Sequence, residues 1–140
     1  AQRRIVWADK ASSFYSPIIS KGVLAILESN STFKTYSIKT FNESWNNDEY
    51  YLRDLSNPEI YKGNIVVGDF EGYIHVINTL NGKTISRMKL TRSPIKTIVA
   101  RAENVYIIDE TFNLYSRHSK IDDVLPITMA KFLLRPLENL

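Results

Sequence analysis

Two histidines, His75 and His118, are the only side chains in this chain that ordinarily titrate near neutrality, and there is no cysteine. Without cysteine, thiol catalysis, zinc–cysteine centres and disulfides all drop out. His75 stands inside Tyr73-Ile74-His75-Val76, a strand-like run with no nucleophile beside it, and reads as a packed or strand-edge histidine. His118 follows Tyr115-Ser116-Arg117 and reads as solvent-exposed. Asp69 and Glu71 flank Phe70 closely enough to suggest an acid pair or a calcium ligand set. The alternating carboxylates of a calcium loop are missing, however. Asp-Phe-Glu-Gly is also turn chemistry, because aspartate bonds backbone amides just ahead of it. We therefore predict no catalytic, cofactor-binding or metal-binding residues.

Binding chemistry has better material. From Gly72 through Ala102 there are six basic residues (Lys83, Arg87, Lys89, Arg92, Lys96, Arg101) and no acid, whereas Glu43 through Glu59 holds five acids against Arg53. Alternation places Lys83, Ile85, Arg87 and Lys89 on one face of a strand, with Thr84, Ser86, Met88 and Leu90 on the other. Two readings stand side by side. The basic row is a solvated edge that discourages strand pairing, or Lys83, Arg87 and Lys89 steer a charged protein partner. Trp7 and Trp45 lie 38 residues apart. They read as large side chains docking one repeat unit on the next, the alternative being exposed anchors for a partner.

What must position these residues is a repeat. Pro17 recurs as Pro58 and Gly22 as Gly63, both after 41 residues, and Asn64 recurs as Asn104 after 40. Phe33, Ile74 and Leu114 follow the same intervals. A period of about 40 residues built from short apolar runs is the length of a four-stranded propeller blade. No amphipathic run is long enough for a helical repeat. In the middle unit Pro58–Tyr61, Asn64–Gly68, Tyr73–Asn78 and Lys83–Leu90 read as successive strands. Lys62-Gly63, Asp69–Gly72 and Asn81-Gly82 are the turns, the last read as a two-residue hairpin with both residues at positive φ. Ile65-Val66-Val67 is apolar on both faces, as a strand between two neighbours should be.

The fold predicted is all-β: a partial β-propeller of about two and a half four-stranded antiparallel blades. Blade repeats fall near 16–52, 57–92 and 96–119 within residues 1–120, the carboxy-terminal part of a larger propeller. Residues 121–140 form a short irregular or helical tail, with Met129–Leu134 as its candidate helix. Remaining blades come from the same or another chain, since a blade buries its faces only against neighbours. The net charge of +3 is mild and predicts no nucleic-acid partner. No stretch approaches the roughly 18 apolar residues of a membrane span. The amino terminus has no signal-peptide core, so either the protein is cytosolic or its beginning is missing.

Ser44-Trp45-Asn46-Asn47-Asp48, Leu55-Ser56-Asn57-Pro58 and Asn64-Ile65-Val66-Val67-Gly68-Asp69-Phe70-Glu71-Gly72-Tyr73-Ile74-His75 together resemble the outer-membrane protein assembly factors. These are periplasmic lipoproteins with a propeller of quinoprotein-like repeats. Arg4-Ile5-Val6-Trp7 looks like the last strand of a preceding blade in that family, and the likeness runs from about Arg4 to Ser119. It implies a non-catalytic scaffold at the periplasmic face of the bacterial outer membrane, without cofactor, held by a lipid anchor absent from this chain. The implied partners are the barrel-assembly subunit BamA and nascent outer-membrane proteins. The same repeats resemble quinone-dependent dehydrogenases, which supply the alternative reading.

Overall fold

The computed structural model describes residues 5, 7–101, 103–118 and 135–136. Its strands are β1 (Ile18–Ser20), β2 (Val23–Leu27), β3 (Phe33–Ser37), β4 (Glu43–Asn47), β5 (Glu59–Tyr61), β6 (Asn64–Gly68), β7 (Tyr73–Ile77) and β8 (Thr84–Lys89), then β9 (Ile95–Arg101), β10 (Asn104–Asp109), β11 (Leu114–His118) and β12 (Arg135–Pro136). They form three antiparallel sheets, β1-β2-β3-β4, β5-β6-β7-β8 and β9-β10-β11-β12. This is the partial propeller predicted from the repeat. One difference lies in the third sheet, where Arg135–Pro136, from the segment read as tail, pairs with Tyr115 and Ser116. A two-residue strand is too short to leave a periodic signal. The proposed helix at Met129–Leu134 lies outside the described residues, as do Arg4 and Val6.

The sheets stack because the repeat aims equivalent residues the same way. Ile65, Val67 and Ile77 of the middle sheet meet Ala25, Leu27 and Phe33 of the first. The opposite face of the middle sheet sends Val66, Ile74, Val76 and Met88 against Ile98, Val105 and Ile107 of the third. Val105 and Ile107 thus repeat the roles of Ile65 and Val67 one unit later. Ile65, Val66 and Val67 are each 0% exposed, as a strand buried on both faces requires. Burying such side chains contributes on the order of 2 kcal/mol each.

Two local readings need correction. Asn81-Gly82 is not a two-residue hairpin. Gly82 takes φ +74 but Asn81 does not take a positive φ, and the loop is wider. The Gly82 N–H donates to Asn78 O and the Asn78 N–H to Lys83 O, both at 2.8 Å. The first sheet builds the same loop between Ser37 and Asn42, with Phe41 at φ 61 in the place of Gly82. The second correction is a bulge. Val76 faces Ser86 and Ile77 faces Thr84, so Ile85 is the extra residue. It turns inward to pack on the apolar cluster around Met88, leaving the row of Arg87 and Lys89.

Candidate partner-binding surface

At the end of the second and third sheets where the second strand turns into the third, an aspartate organises the backbone. Asp69 Oδ1 accepts from the N–H groups of Glu71 and Tyr73, and Asp109 Oδ1 from those of Thr111 and Asn113. The turn role predicted for Asp69 is what the structure shows. Asp69 also does more. It is 0% exposed, and its Oδ2 lies 2.7 Å from His75 Nε2 and 2.8 Å from Arg53 Nη2. The same guanidinium reaches Glu71 Oε1 at 2.7 Å. Burial alone would raise the Asp69 pKa. The bonds from His75, Arg53 and the Tyr73 N–H outweigh it and hold the carboxyl down at about 2. In the third sheet burial likewise opposes ionisation of Asp109, and bonds from Thr111, Asn113 and Thr91 lower its pKa.

His75 is therefore a packed histidine, 2% exposed and covered by the Tyr50 ring at 4.7 Å. It has no access to a substrate. The expectation for His118 concerns a side chain outside the described residues. Arg53 is the residue that sequence reasoning missed. It sits in the irregular linker between β4 and β5, and nothing periodic marks it. A lone base inside the acidic stretch Glu43–Glu59 was the available signal. Among the described residues no three carboxylates or imidazoles gather as a metal would need.

The predicted basic row divides in two. Arg87 and Lys89 are exposed on β8 and stand opposite His75 and Tyr73 of β7. The Arg87 guanidinium carbon lies 5.1 Å, and the Lys89 ammonium 5.0 Å, from the Tyr73 ring centroid. Lys83 is also exposed, but it belongs to the loop before β8, beyond the bulge. The structure brings Arg87 and Lys89 together around one ring and leaves Lys83 apart.

The tryptophans act between units. Trp45 donates its indole N–H to Thr79 O at 2.8 Å and lies flat enough on Gly82 that a Cβ there would fall 2.4 Å from its Cε3. Trp7 stacks on Phe41, the residue equivalent to Gly82, at 5.7 Å and meets Tyr36 edge-on at 4.6 Å. Asn47 adds a bond from Nδ2 to Gly82 O, and Asn57 joins Ile98 N–H, Ile98 O and the Thr97 hydroxyl. Loops at the end that carries Asp69 and Asp109 also show apolar side chains to solvent. Leu52 is 68% and Phe112 is 73% exposed, both at positive φ. Such a surface can hold a partner; it shows no converging acid, base and nucleophile.

No family profile matches the chain. The outer membrane protein assembly factor BamB of Francisella tularensis is 34% identical over 136 residues, covering 86% of this chain and 30% of that protein. BamB of Shewanella oneidensis is 38% identical over 92 residues, covering 64% of this chain and 23% of that one. The chain therefore spans under a third of the length of these curated relatives. Among solved structures, BamB from Moraxella catarrhalis superposes with a TM-score of 0.65 at 22% identity, covering 71% of this chain and 30% of that chain. A quinohemoprotein alcohol dehydrogenase from Pseudomonas putida superposes with a TM-score of 0.62 at 14% identity, covering 78% of this chain and 19% of that one, which speaks to fold only. The chain belongs with the BamB-like proteins and corresponds to a carboxy-terminal part of them.

Proposed function

We propose that the protein carrying this chain is a non-catalytic scaffold of the machinery that assembles outer-membrane β-barrels. Residues 1–120 would be the carboxy-terminal part of its propeller, the remaining blades coming from the same or another chain. It presents propeller loops to periplasmic partners, the barrel-assembly subunit BamA and nascent outer-membrane proteins. It works at the periplasmic face of the outer membrane, with a lipid anchor outside this chain as its membrane attachment. The observation that carries this reading is the 34% identity to an outer membrane protein assembly factor over most of the chain. Supporting it, His75 and Asp69 are buried and bonded to each other, so neither is presented at the surface. The test is affinity capture from a detergent-solubilised cell envelope with the intact protein as bait. Recovery of barrel-assembly subunits is expected, and their absence overturns the proposal. One rival reading is a quinone-dependent enzyme built on the same propeller fold. Quinone titration of the intact protein with a saturable absorbance change would favour that rival.

A further inference from the structure

We propose that Tyr73, Arg87 and Lys89 form a docking site for an extended acidic segment of a partner protein. The inference rests on the scaffold reading above and adds the chemistry of the partner. Arg87 and Lys89 alternate on β8 with Met88, which is buried in the seam with the third sheet. The strand cannot roll to hide its cations without expelling Met88. Both cations lie over one ring, so they sit no more than about 10 Å apart.

Among the described residues the nearby acids are engaged elsewhere. Asp69 is occupied by Arg53, His75 and the turn amides, and Glu71 by Arg53. Glu49, from the linker, accepts from the Thr84 hydroxyl. Among the described residues neither Arg87 nor Lys89 makes an ion pair. Two exposed cations held together without an acid attract an anionic group from outside.

Geometry selects a polypeptide as the source of that anion. Alternate residues of an extended chain repeat every 6–7 Å or so on one face. That is the spacing of Arg87 and Lys89 along β8, so carboxylates at alternate positions of an extended segment meet both in turn. Tyr73, half-buried with both cations over its ring, helps to hold the two together. Lys83, beyond the bulge at Ile85, falls out of this row and takes no part.

The probe is a fluorescein-labelled decapeptide of alternating glutamate and serine, titrated by anisotropy into the intact protein at low salt and near 0.15 M salt. Binding is expected to weaken about tenfold or more in the Arg87→Glu/Lys89→Glu variant, and to fade as salt rises over the roughly 8 Å screening length. Lys83→Glu should leave it within about twofold, and Arg87→Lys should retain most of it. Circular dichroism confirms that each variant is folded; because both side chains are exposed, the neutral pair Arg87→Gln/Lys89→Gln provides a second, less disruptive arm. Equal binding by wild type and the reversed variant, or none by wild type, overturns the proposal. Phosphatidylglycerol vesicles that bind with the same dependence on Arg87 and Lys89, while the peptide does not, overturn it in favour of a headgroup site. Capture of barrel-assembly subunits by the wild-type protein is scored separately, so loss of peptide binding alone sinks only this inference.

Discussion

Replacing Gly82 by alanine isolates what holds the first sheet to the second. Two glycines share nearly the same backbone, Gly22 at φ +75 and Gly82 at φ +74, but their surroundings differ. A Cβ at Gly22 meets nothing within 4 Å, whereas at Gly82 it falls 2.4, 2.5 and 2.9 Å from ring atoms of Trp45. Alanine at either site costs about 1 kcal/mol for the left-handed backbone. Phe41, at φ 61 in the equivalent loop, shows that this fold tolerates that term. At Gly82 the Trp45 ring must also move, although Phe33 lies against it at 6.1 Å and Thr79 O holds its N–H at 2.8 Å. Displacement adds about 1–3 kcal/mol for overpacking and about 1 kcal/mol for the lost hydrogen bond. Gly82→Ala should therefore destabilise by about 3–5 kcal/mol and Gly22→Ala by about 1 kcal/mol. Urea unfolding of the intact protein measures both through the midpoint at constant slope. Variants within about 0.5 kcal/mol of each other would refute the claim that the Trp45 contact, rather than the turn, demands glycine.

Acid should find Asp69 next. Its folded pKa of about 2 lies below the ordinary 3.8, so the associated stability is complete above pH 4 or so and lost as pH falls from there towards 2. The loss is on the order of 2 kcal/mol, and Asp69→Asn should flatten that stretch of a stability-versus-pH curve; an unchanged curve counts against the cluster. Asn57→Ala removes partners from both backbone groups of Ile98 and from the Thr97 hydroxyl, and should cost on the order of 2–4 kcal/mol. Faster amide exchange at Ile98 in that variant would place the damage at β9; unchanged exchange would show that Asn57 is dispensable. Trp45→Phe keeps an aromatic ring but leaves Thr79 O without its donor, for a loss of about 1–2 kcal/mol by thermal unfolding.

The repeat was legible because each unit buries the same positions: Ile65 and Val67 return as Val105 and Ile107, and a period survives when every copy faces the same packing problem. Asp69 was legible as a turn residue since its amide partners are local. Its partnership with Arg53 joins positions 16 residues apart through an irregular linker, and no local pattern encodes such a bond. Asn-Gly favours a two-residue hairpin in isolation. Here the Asn78 bonds close a wider loop beneath Trp45, a tertiary contact overriding a local preference. The bulge at Ile85 escaped for a related reason: strict alternation assigns an apolar residue to whichever face parity dictates, whereas the cluster around Met88 takes Ile85 regardless. For the same reason Arg87 and Lys89 stayed in one row and Lys83 left it.

The middle sheet is fastened to what precedes it at two opposite ends. At one end its β7–β8 loop is held by Trp45 and Asn47; at the other its β6–β7 turn is held by Arg53. A single fastening would act as a pivot. Two, on opposite rims, fix the angle between neighbouring sheets and give any tug a load path. A load on the middle sheet is shared between Trp45 and Asn47 at one rim and Arg53 at the other, rather than turning about either.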